Sequence, residues 1–297
     1  MHVRLPQNAL LQKNDTNVSQ SMTRRLVVEF TKMQGAGNDF LVIDNRFYRF
    51  SDAELVDVAT RWCPRRTGIG ADGLLALNPP EDEAHDYRMR YLNADGSWAT
   101  MCANGARCLA AYAVQAGIGA PTVVFATDAG TYRATAAPDT DAVRLWTPPS
   151  SDLTLNAALD QPLPADLDAV HTVWTGTEHL VAFVHDPDAV ALETLGPRLR
   201  HDASLAPEGV NVNVVSCNNG FLTMRTYEKG VEAETLSCGT GVLAAAVLAW
   251  ATGQTDASPV PVATPGGTFR VERSDDGGLI LEGPVAFVFR GTLELDV

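Results

Sequence analysis

Lysine is scarce in this sequence, and no cluster of basic residues is present. Only Lys13, Lys32 and Lys229 occur, and 22 basic residues stand against 36 acidic ones, which gives a formal net charge of −14. Nucleic-acid binding requires a basic surface that contacts phosphates, so the sequence predicts no nucleic-acid partner and favours a small-molecule ligand. The acidic excess fits either adaptation to high salt or an ordinary acidic protein, and both interpretations stay open.

Long apolar runs are also missing. The sequence contains no 18 consecutive apolar residues, and its first 21 residues lack the apolar region of a signal peptide. We therefore expect no membrane partner and a cytoplasmic location. Residues 1–23 are polar and aperiodic, which predicts a disordered N-terminal extension. The chain has 297 residues, 45% of them hydrophobic, which is enough for two domains with cores of their own.

The five cysteines form no CxxC pair and no Cys/His ligand spacing. The odd number and the spacing argue against a disulfide framework and a structural zinc site, so we predict no metal. Cys63, Cys108 and Cys217 are not followed by a glycine-rich helix start, and we interpret them as buried structural thiols. Cys102 and Cys238 have a different context.

A cysteine followed by a glycine-rich start and a run of helix-forming residues occurs twice. The two stretches are "ATMCANGARCLAAYAVQ" from residue 99 and "ETLSCGTGVLAAAVLAW" from residue 234. The aligned positions are Cys102 and Cys238, Gly105 and Gly241, and Gly117 and Gly253. Strand-like runs surround both helices, so we predict an α/β fold with two similar domains that arose by internal duplication. Chance similarity of two alanine-rich helices is the alternative.

Prolines and small polar residues interrupt every periodic pattern from residue 146 to 169, which predicts a crossing between domains. We therefore expect a first domain at 24–147, completed by 285–297, and a second domain at 148–284.

The position of the paired cysteines predicts acid–base chemistry. A helix that begins directly after a cysteine directs free N–H groups and its positive dipole end at the sulfur, which lowers the pKa of the thiol toward neutrality. Gly105, Gly239 and Gly241 would let the backbone approach a ligand, and the free amides could hold a carboxylate. Two such thiols facing one cleft could remove a proton from one face of a carbon and supply one to the other, as in a racemase or epimerase. Pyridoxal phosphate requires a Schiff-base lysine, and the scarcity of lysine favours a reaction without a cofactor.

Four motifs carry a resemblance to a known family. "KMQGAGNDFLVID", "TGIGADGLL", "LNADGSWATMCANGARC" and "YEKGVEAETLSCGTG" resemble, in order, the signatures of the diaminopimelate epimerase family over residues 26–297. The resemblance implies a cofactor-independent enzyme that interconverts LL- and meso-diaminopimelate, on the route to lysine and peptidoglycan. It also implies a homodimer whose two α/β domains are each a curled mixed β-sheet around a central helix, with the active site between them.

The resemblance also assigns site residues. Cys102 and Cys238 match the catalytic pair, Glu228 matches a glutamate that contacts substrate and tunes a thiol, and His179 matches a histidine that modulates the first cysteine. The other implied substrate-binding residues are Asn38, Asn93, Ala103, Asn104, Asn211, Lys229, Gly239 and Thr240.

Four residues in three motifs depart from the family pattern, and they fall on recognition rather than on the cysteines. The usual Cys-Gly-Asn-Gly contains Ala103, and the usual Gly-Asn-Pro-His reads Gly176-Thr177-Glu178-His179. The usual Glu-Arg reads Glu228-Lys229, and lysine lacks the planar guanidinium with which arginine binds both oxygens of a carboxylate.

Three polar residues near these motifs receive structural interpretations. Asp72 and Asp95 lie beside turn glycines and are predicted to form turns. Arg107, in the helix after Cys102, is predicted to be an ion-pair partner near the domain interface.

Other functions remain as alternatives. Proline-type racemases carry a histidine where this chain has Asn104, whereas a histidine-type racemase stays open because of Thr177 and Lys229. Isomerases of the same duplicated fold that use carboxylates are disfavoured by the two cysteines. A non-catalytic amino-acid-binding protein is the alternative outside enzymology.

Overall fold

A computed structural model of the protein describes residues 25–119, 121–136, 141–164, 167–205 and 207–296. The predicted N-terminal extension at 1–23 lies outside the described residues. None of the helices in these ranges is long and apolar enough to span a membrane.

The first half of the chain contains eight strands and three helices. They are β1 (Arg25–Gly35), β2 (Asn38–Asp44), α1 (Asn45–Tyr48), α2 (Asp52–Trp62), β3 (Gly73–Asn78), β4 (Tyr87–Asn93), β5 (Trp98–Ala99), α3 (Ala103–Gln115), β6 (Thr122–Thr127), β7 (Gly130–Ala136) and β8 (Ala142–Thr147).

The second half repeats this order, with one further strand before it and one after it. Its elements are β9 (Ser151–Thr154), β10 (His171–Trp174), β11 (Glu178–Phe183), a 3-10 turn at Pro187–Ala189, α4 (Leu192–Arg200), β12 (Asn211–Asn218), β13 (Phe221–Glu228), β14 (Ala233–Thr235), α5 (Gly239–Ala251), β15 (Val260–Thr264), β16 (Gly267–Arg273), β17 (Leu279–Pro284) and β18 (Ala286–Asp296). The short strand β9 lies inside the proline-rich segment for which the sequence showed no periodic pattern.

The same strand pairing occurs twice. In the first half β18, β1 and β2 are antiparallel, β2 runs parallel to β3, β3 and β4 are antiparallel, and β4 runs parallel to β6, which continues antiparallel into β7 and β8. In the second half β9 to β13 and β15 to β17 follow the same pattern. The two sheets join where β8 pairs with β17. The prediction of two similar α/β domains is confirmed.

Each sheet curls around one helix. Strands of the first half contact α3 on all sides, and the matching strands of the second half contact α5. Ten residues of α5 are buried, among them Val242, Leu243 and Leu248, as expected of a helix that is apolar around its whole circumference. The alanines between them let the strands approach the helix closely.

The two central helices begin and end in the same way. Each has 13 residues and a cysteine at its N-cap, in extended conformation. Each stops at a glycine with positive φ, Gly117 at 79° and Gly253 at 72°. The next residue, Ile118 or Gln254, donates its N–H back to the carbonyl five positions earlier, which is the Schellman motif. The aligned glycines of the sequence are thus the matching ends of two helices.

Amphipathic helices cover the outer faces of the sheets. In the first half this helix is α2, and Ser51 with Glu54 forms a capping box at its start. Its buried residues, including Leu55 and Trp62, pack on the side of the sheet that faces away from α3. In the second half α4 covers the corresponding face. The outer helices do not cover the starts of α3 and α5, which lie against each other.

Candidate active site

A cavity of about 460 Å³ lies between the starts of the two central helices. Eleven of the twelve predicted site residues line it: Asn38, Asn93, Cys102, Ala103, Asn104, Asn211, Glu228, Lys229, Cys238, Gly239 and Thr240. The twelfth, His179, is fully buried behind the cavity wall. Sequence positions up to 202 residues apart therefore meet in one place, and both duplicated cysteines belong to it.

The helix starts are close enough to touch. A Cβ atom on Gly239 would lie 2.9 Å from the Cβ of Ala103, so only a glycine fits between the two halves at this point. The expectation that Gly105 and Gly241 leave room for a ligand is wrong, because their Cβ directions point into protein. They would meet Leu75 at 3.0 Å and Asn213 at 2.6 Å. These two glycines let each helix approach its own sheet.

The thiols are more basic than the sequence predicts. Burial raises the pKa of Cys102 to about 11 and the pKa of Cys238 to about 12. The negative charge of Glu228 raises both values further, while N–H groups of the helix starts, including that of Gly105, lower them. The expected decrease toward neutrality is therefore wrong for the free protein, because loss of hydration outweighs the helix amides.

A hydrogen-bond chain reaches Cys238 from inside the second half. Asn213 donates through Nδ2 to the Leu180 carbonyl at 2.9 Å and lies 3.2 Å from Nδ1 of His179. Since Nδ1 faces a donor, Nε2 carries the proton and donates to Thr240 Oγ1 at 2.9 Å. The Thr240 hydroxyl then lies 3.3 Å from Cys238 Sγ and can donate to it.

His179 is a neutral member of this chain. Burial lowers its pKa to about 3, so the ring carries no charge at neutral pH. The resemblance implied that this histidine acts on the first cysteine, Cys102, but its contacts lead through Thr240 to the second, Cys238. The correction follows from the strand order, because β11 belongs to the sheet around α5.

Asn213 was missed by the sequence analysis. It lies two positions after Asn211 on β12, so both side chains are on the face of the sheet that covers α5. The sequence signal that could have identified it is the second asparagine at alternate spacing among the valines of "VNVNVVSC". The structure shows that this side chain is fully buried.

Glu228 and Lys229 point to different partners. Glu228 accepts from the Thr235 hydroxyl at 2.7 Å, and burial raises its pKa above the ordinary value. The Lys229 Nζ pairs with Glu178 at 2.8 Å, and its backbone N–H donates to Asn211 Oδ1 at 2.9 Å. Glu178 and Lys229, two of the residues that differ from the family pattern, therefore form one ion pair beside the cavity.

Arg107 and Asp72 are more closely connected to the cavity than the sequence indicates. Arg107 is fully buried and donates to Asn104 Oδ1 at 2.8 Å and to the Ala103 carbonyl at 3.1 Å. Within the described ranges no carboxylate pairs with it, so the ion-pair prediction is wrong. Asp72 accepts from Nδ2 of Asn38 at 2.8 Å, beyond the turn role predicted for it. Asp95 does form a turn, since it accepts the Ser97 N–H at 2.9 Å.

The remaining cysteines divide by depth. Cys63 and Cys108 are buried as predicted, whereas Cys217 is partly exposed near the end of β12 and contacts the Gln254 carbonyl. Among the residues that the structure describes, no group of three His, Cys, Asp or Glu side chains is placed to hold a metal ion.

Comparison with known proteins agrees with this arrangement. The family model for diaminopimelate epimerase matches residues 30–150 and 171–288. The diaminopimelate epimerase of Chlorobaculum tepidum is 41% identical over 270 residues, which cover 89% of this chain and 100% of that protein. That of Methanocella arvoryzae is 38% identical over 280 residues, which cover 91% of this chain and 98% of that protein.

Solved structures of distant proteins share the fold. A phenazine biosynthesis protein of the PhzF family from Bacillus anthracis superposes with a TM-score of 0.69 at 13% identity, covering 90% of this chain and 99% of that one. A probable proline racemase from Agrobacterium radiobacter gives 0.67 at 16% identity, covering 91% and 93%. The family model and the two relatives cover both halves of the chain. The chain therefore belongs to the diaminopimelate epimerase family.

Proposed function

We propose that the protein is an isomerase that interconverts LL- and meso-2,6-diaminopimelate without a cofactor, supplying a precursor of lysine and peptidoglycan. The observation that carries the proposal is the placement of Cys102 and Cys238, each capping a helix from a different half, in the wall of one cavity. The curated relatives named above are diaminopimelate epimerases, and they cover both halves of the chain.

The helix starts supply the groups that hold the reacting amino-acid centre. The N–H groups of Ala103, Asn104, Gly239 and Thr240 have no carbonyl partner within their helices and lie at the positive ends of α3 and α5, where they stabilise a carboxylate. Glu228, also in the cavity wall, is the anion available to the α-ammonium. We assign substrate-binding roles to these residues and to Asn38, Asn93, Asn211 and Lys229, which line the same cavity.

The reaction requires one thiolate and one thiol. The thiolate takes the α-proton and becomes a thiol, and the second thiol gives its proton to the opposite face of the carbanion and becomes a thiolate. The raised pKa values of both cysteines keep them protonated at neutral pH in the free protein. The α-ammonium brings a positive charge to the cavity, which stabilises the thiolate when substrate is bound.

Lys229 supports a substrate with a second charged end. Its ammonium lies at the cavity wall, held by Glu178, and is the cation available to a distal carboxylate. Histidine and proline have no such carboxylate, so this contact favours diaminopimelate over both.

Exchange of the α-hydrogen in D₂O, followed by NMR, tests the function. LL-diaminopimelate would be incubated beside histidine, proline and lysine with wild type, Cys102→Ala and Cys238→Ala. We expect deuterium to enter diaminopimelate alone and inversion to fall by at least about 10³-fold in both variants. Deuterium exchange into another amino acid would identify that amino acid, rather than diaminopimelate, as the substrate. The absence of exchange with all four would contradict an isomerase of these substrates and favour a binding protein.

We also propose a homodimer in the cytoplasm. Five residues on or beside the β1–β18 ribbon are exposed although apolar: Val27, Phe47, Phe287, Val288 and Phe289. Phe47, the most exposed at 77%, lines an open groove of about 620 Å³ along the same ribbon. Several exposed apolar side chains along one ribbon are typical of an interface. All five cysteines are free thiols, which suits a reducing compartment.

Light scattering on wild type and on the double variant Phe47→Asp, Val288→Asp would test the dimer, and two copies are expected only for wild type.

We further propose that the domains are 24–147 with 285–297, and 148–284. The pairing of β18 with β1 supports this division.

A further inference from the structure

The two asparagines nearest to Cys102 have fixed amide orientations. Arg107 Nη2 donates to Oδ1 of Asn104 at 2.8 Å, and a guanidinium has donors only. The NH₂ group of Asn104 must therefore face the other way. It lies 3.4 Å from Oδ1 of Asn38 and 3.4 Å from the hydroxyl of Ser237.

Asn38 is fixed from the opposite side by a carboxylate. Its Nδ2 donates to Oδ2 of Asp72 at 2.8 Å, while Arg65 occupies the other oxygen of the same carboxylate at 2.7 Å. An ionised carboxylate only accepts hydrogen bonds. The NH₂ group of Asn38 is therefore held on Asp72, and its Oδ1 faces inward.

Oδ1 of Asn38 meets two donors at this inner position. One is the NH₂ group of Asn104, and the other is the thiol of Cys102, whose Sγ lies 3.7 Å away. An amide oxygen can accept the S–H proton but offers nothing to a thiolate. Since the two amides lie in line between a cation and an anion, each hydrogen bond polarises the next.

We propose that Asp72 is a positioning residue for Cys102, acting through Asn38: it turns the amide oxygen of Asn38 toward the sulfur and so favours the protonated thiol. The relevance to catalysis rests on the proposed function, in which Cys102 is one of the two proton carriers. In the second half the side chain beside the sulfur is a hydroxyl, that of Thr240 beside Cys238, which can donate as well as accept.

Other ionisable groups also act on the Cys102 sulfur. They are Glu228, Tyr91, Cys108, Cys238 and Arg107. A substitution at Asp72 keeps all five side chains, but the charge of Asp72 is one cause of the raised pKa values of Glu228 and Tyr91. The substitution also removes one negative charge, so the test must separate the charge from the amide orientation.

The experiment measures the pH dependence of iodoacetamide alkylation at Cys102, resolved by peptide mass spectrometry, in the absence of amino acids. In Asp72→Asn the replaced side chain can donate as well as accept, so the Asn38 amide can turn its NH₂ group to the sulfur. We expect the alkylation midpoint to fall by about 0.5 to 1 pH unit. Asp276→Asn, at a fully exposed turn, is the matched control and should leave the midpoint unchanged.

The same substitution in an Asn38→Ala background completes a double-mutant cycle. If Asp72 acts through the amide of Asn38, the shift disappears in that background. An equal shift in both backgrounds would show that the charge of Asp72 acts directly, and no shift in either would leave Asp72 a structural residue. Either result overturns the proposal. Alkylation needs no turnover, so a failure here is distinct from a failure of the proposed epimerase activity.

A measurement on wild type covers the case in which Asp72→Asn does not fold. In protein labelled with ¹⁵N-asparagine, the side-chain amide signal of Asn38 is identified by its loss in Asn38→Ala. We expect its bonded proton to exchange with solvent at least about tenfold more slowly than those of exposed Asn219. Equally fast exchange at both sites would contradict a fixed amide.

Discussion

The two halves of the cavity use the same backbone arrangement but surround their cysteines with different chemistry. Cys102 and Cys238 each cap a 13-residue helix. Beside Cys102 lies an amide oxygen of Asn38, whereas beside Cys238 lies the hydroxyl of Thr240, backed by a neutral histidine. Duplication has thus kept the helix dipole at both sulfurs and changed the hydrogen-bonding group. The difference gives two chemically similar thiols distinct preferences for holding and releasing a proton.

Alanine at the paired glycines should give the largest contrast between the halves. In Gly241→Ala the new Cβ would lie 2.6 Å from Oδ1 of Asn213, which is fixed by its own bonds to a strand. In Gly105→Ala it would meet a terminal methyl of Leu75 at 3.0 Å, and that side chain can move. We expect Gly241→Ala to lower kcat by about 100-fold, through displacement of Asn213 and His179, and Gly105→Ala by less than about fivefold. Equal losses in a steady-state assay would contradict this contrast.

Thr240→Val should separate the two thiols. The valine has the same shape but cannot donate to Cys238 Sγ or accept from His179. A thiolate that loses a hydroxyl donor is less stable, so the alkylation midpoint of Cys238 should rise by about one pH unit and kcat should fall by about tenfold. The Cys102 midpoint should stay unchanged. Thr122→Val, on the exposed side of β6, is the control, and a shift at both cysteines would contradict a local effect.

His179→Gln should change how stability depends on pH. The folded pKa of His179 is about 3 against an ordinary 6.5, so between these values the unfolded chain binds a proton that the folded protein does not. Stability due to the neutral ring is therefore complete above pH 6.5 and is lost as pH falls below it. Between pH 7 and pH 5 wild type should lose about 2 kcal/mol more than His179→Gln in urea unfolding. His185→Gln, at an exposed position, is the control and should behave as wild type. If His179→Gln is as pH-sensitive as wild type, His179 is excluded as the source of the pH dependence.

The smallest effect is expected at the ion pair of the second half. Glu178→Gln frees the Lys229 ammonium for the distal carboxylate of the substrate, and partly exposed pairs contribute about 0.2 to 1 kcal/mol. The KM for diaminopimelate should fall about two- to fivefold with kcat unchanged. Glu208→Gln, whose carboxylate is 4.0 Å from the same ammonium and largely exposed, should have little effect. An increase in KM for Glu178→Gln would show that Glu178 itself contacts the substrate.

Local signals in the sequence made the duplicated framework predictable. Ser51 and Glu54 mark the start of α2, the two cysteine motifs mark the starts of α3 and α5, and Gly117 with Gly253 marks their ends. Each of these signals depends only on residues within a few positions of it in the sequence. The repeat strengthens them, because the same order of signals occurs twice. The set of cavity residues was also predictable, but from the resemblance rather than from the residues alone.

Contacts between distant residues could not be predicted in the same way. The bond between Asn38 and Asp72 joins positions 34 apart and depends on the register in which β2 lies parallel to β3. The prediction of the direction in which the thiol pKa values shift failed for a related reason. The helix dipole at Cys102 can be inferred from its neighbours in sequence, but the depth of burial depends on what the other half of the chain places over it.

The pairing of the first strand with the last has a consequence for how the protein is made. β1 lies between β2 and β18, and β18 is the last strand of the described chain. During synthesis β1 is made before the other described strands and β18 after them, so β1 lacks one of its two neighbours until β18 has been made. The second half contains its own strands without β18, so we expect it to fold in a chain that lacks β18. In a released chain that ends at residue 285, α5 should therefore be protected from proteolysis while α3 is cleaved.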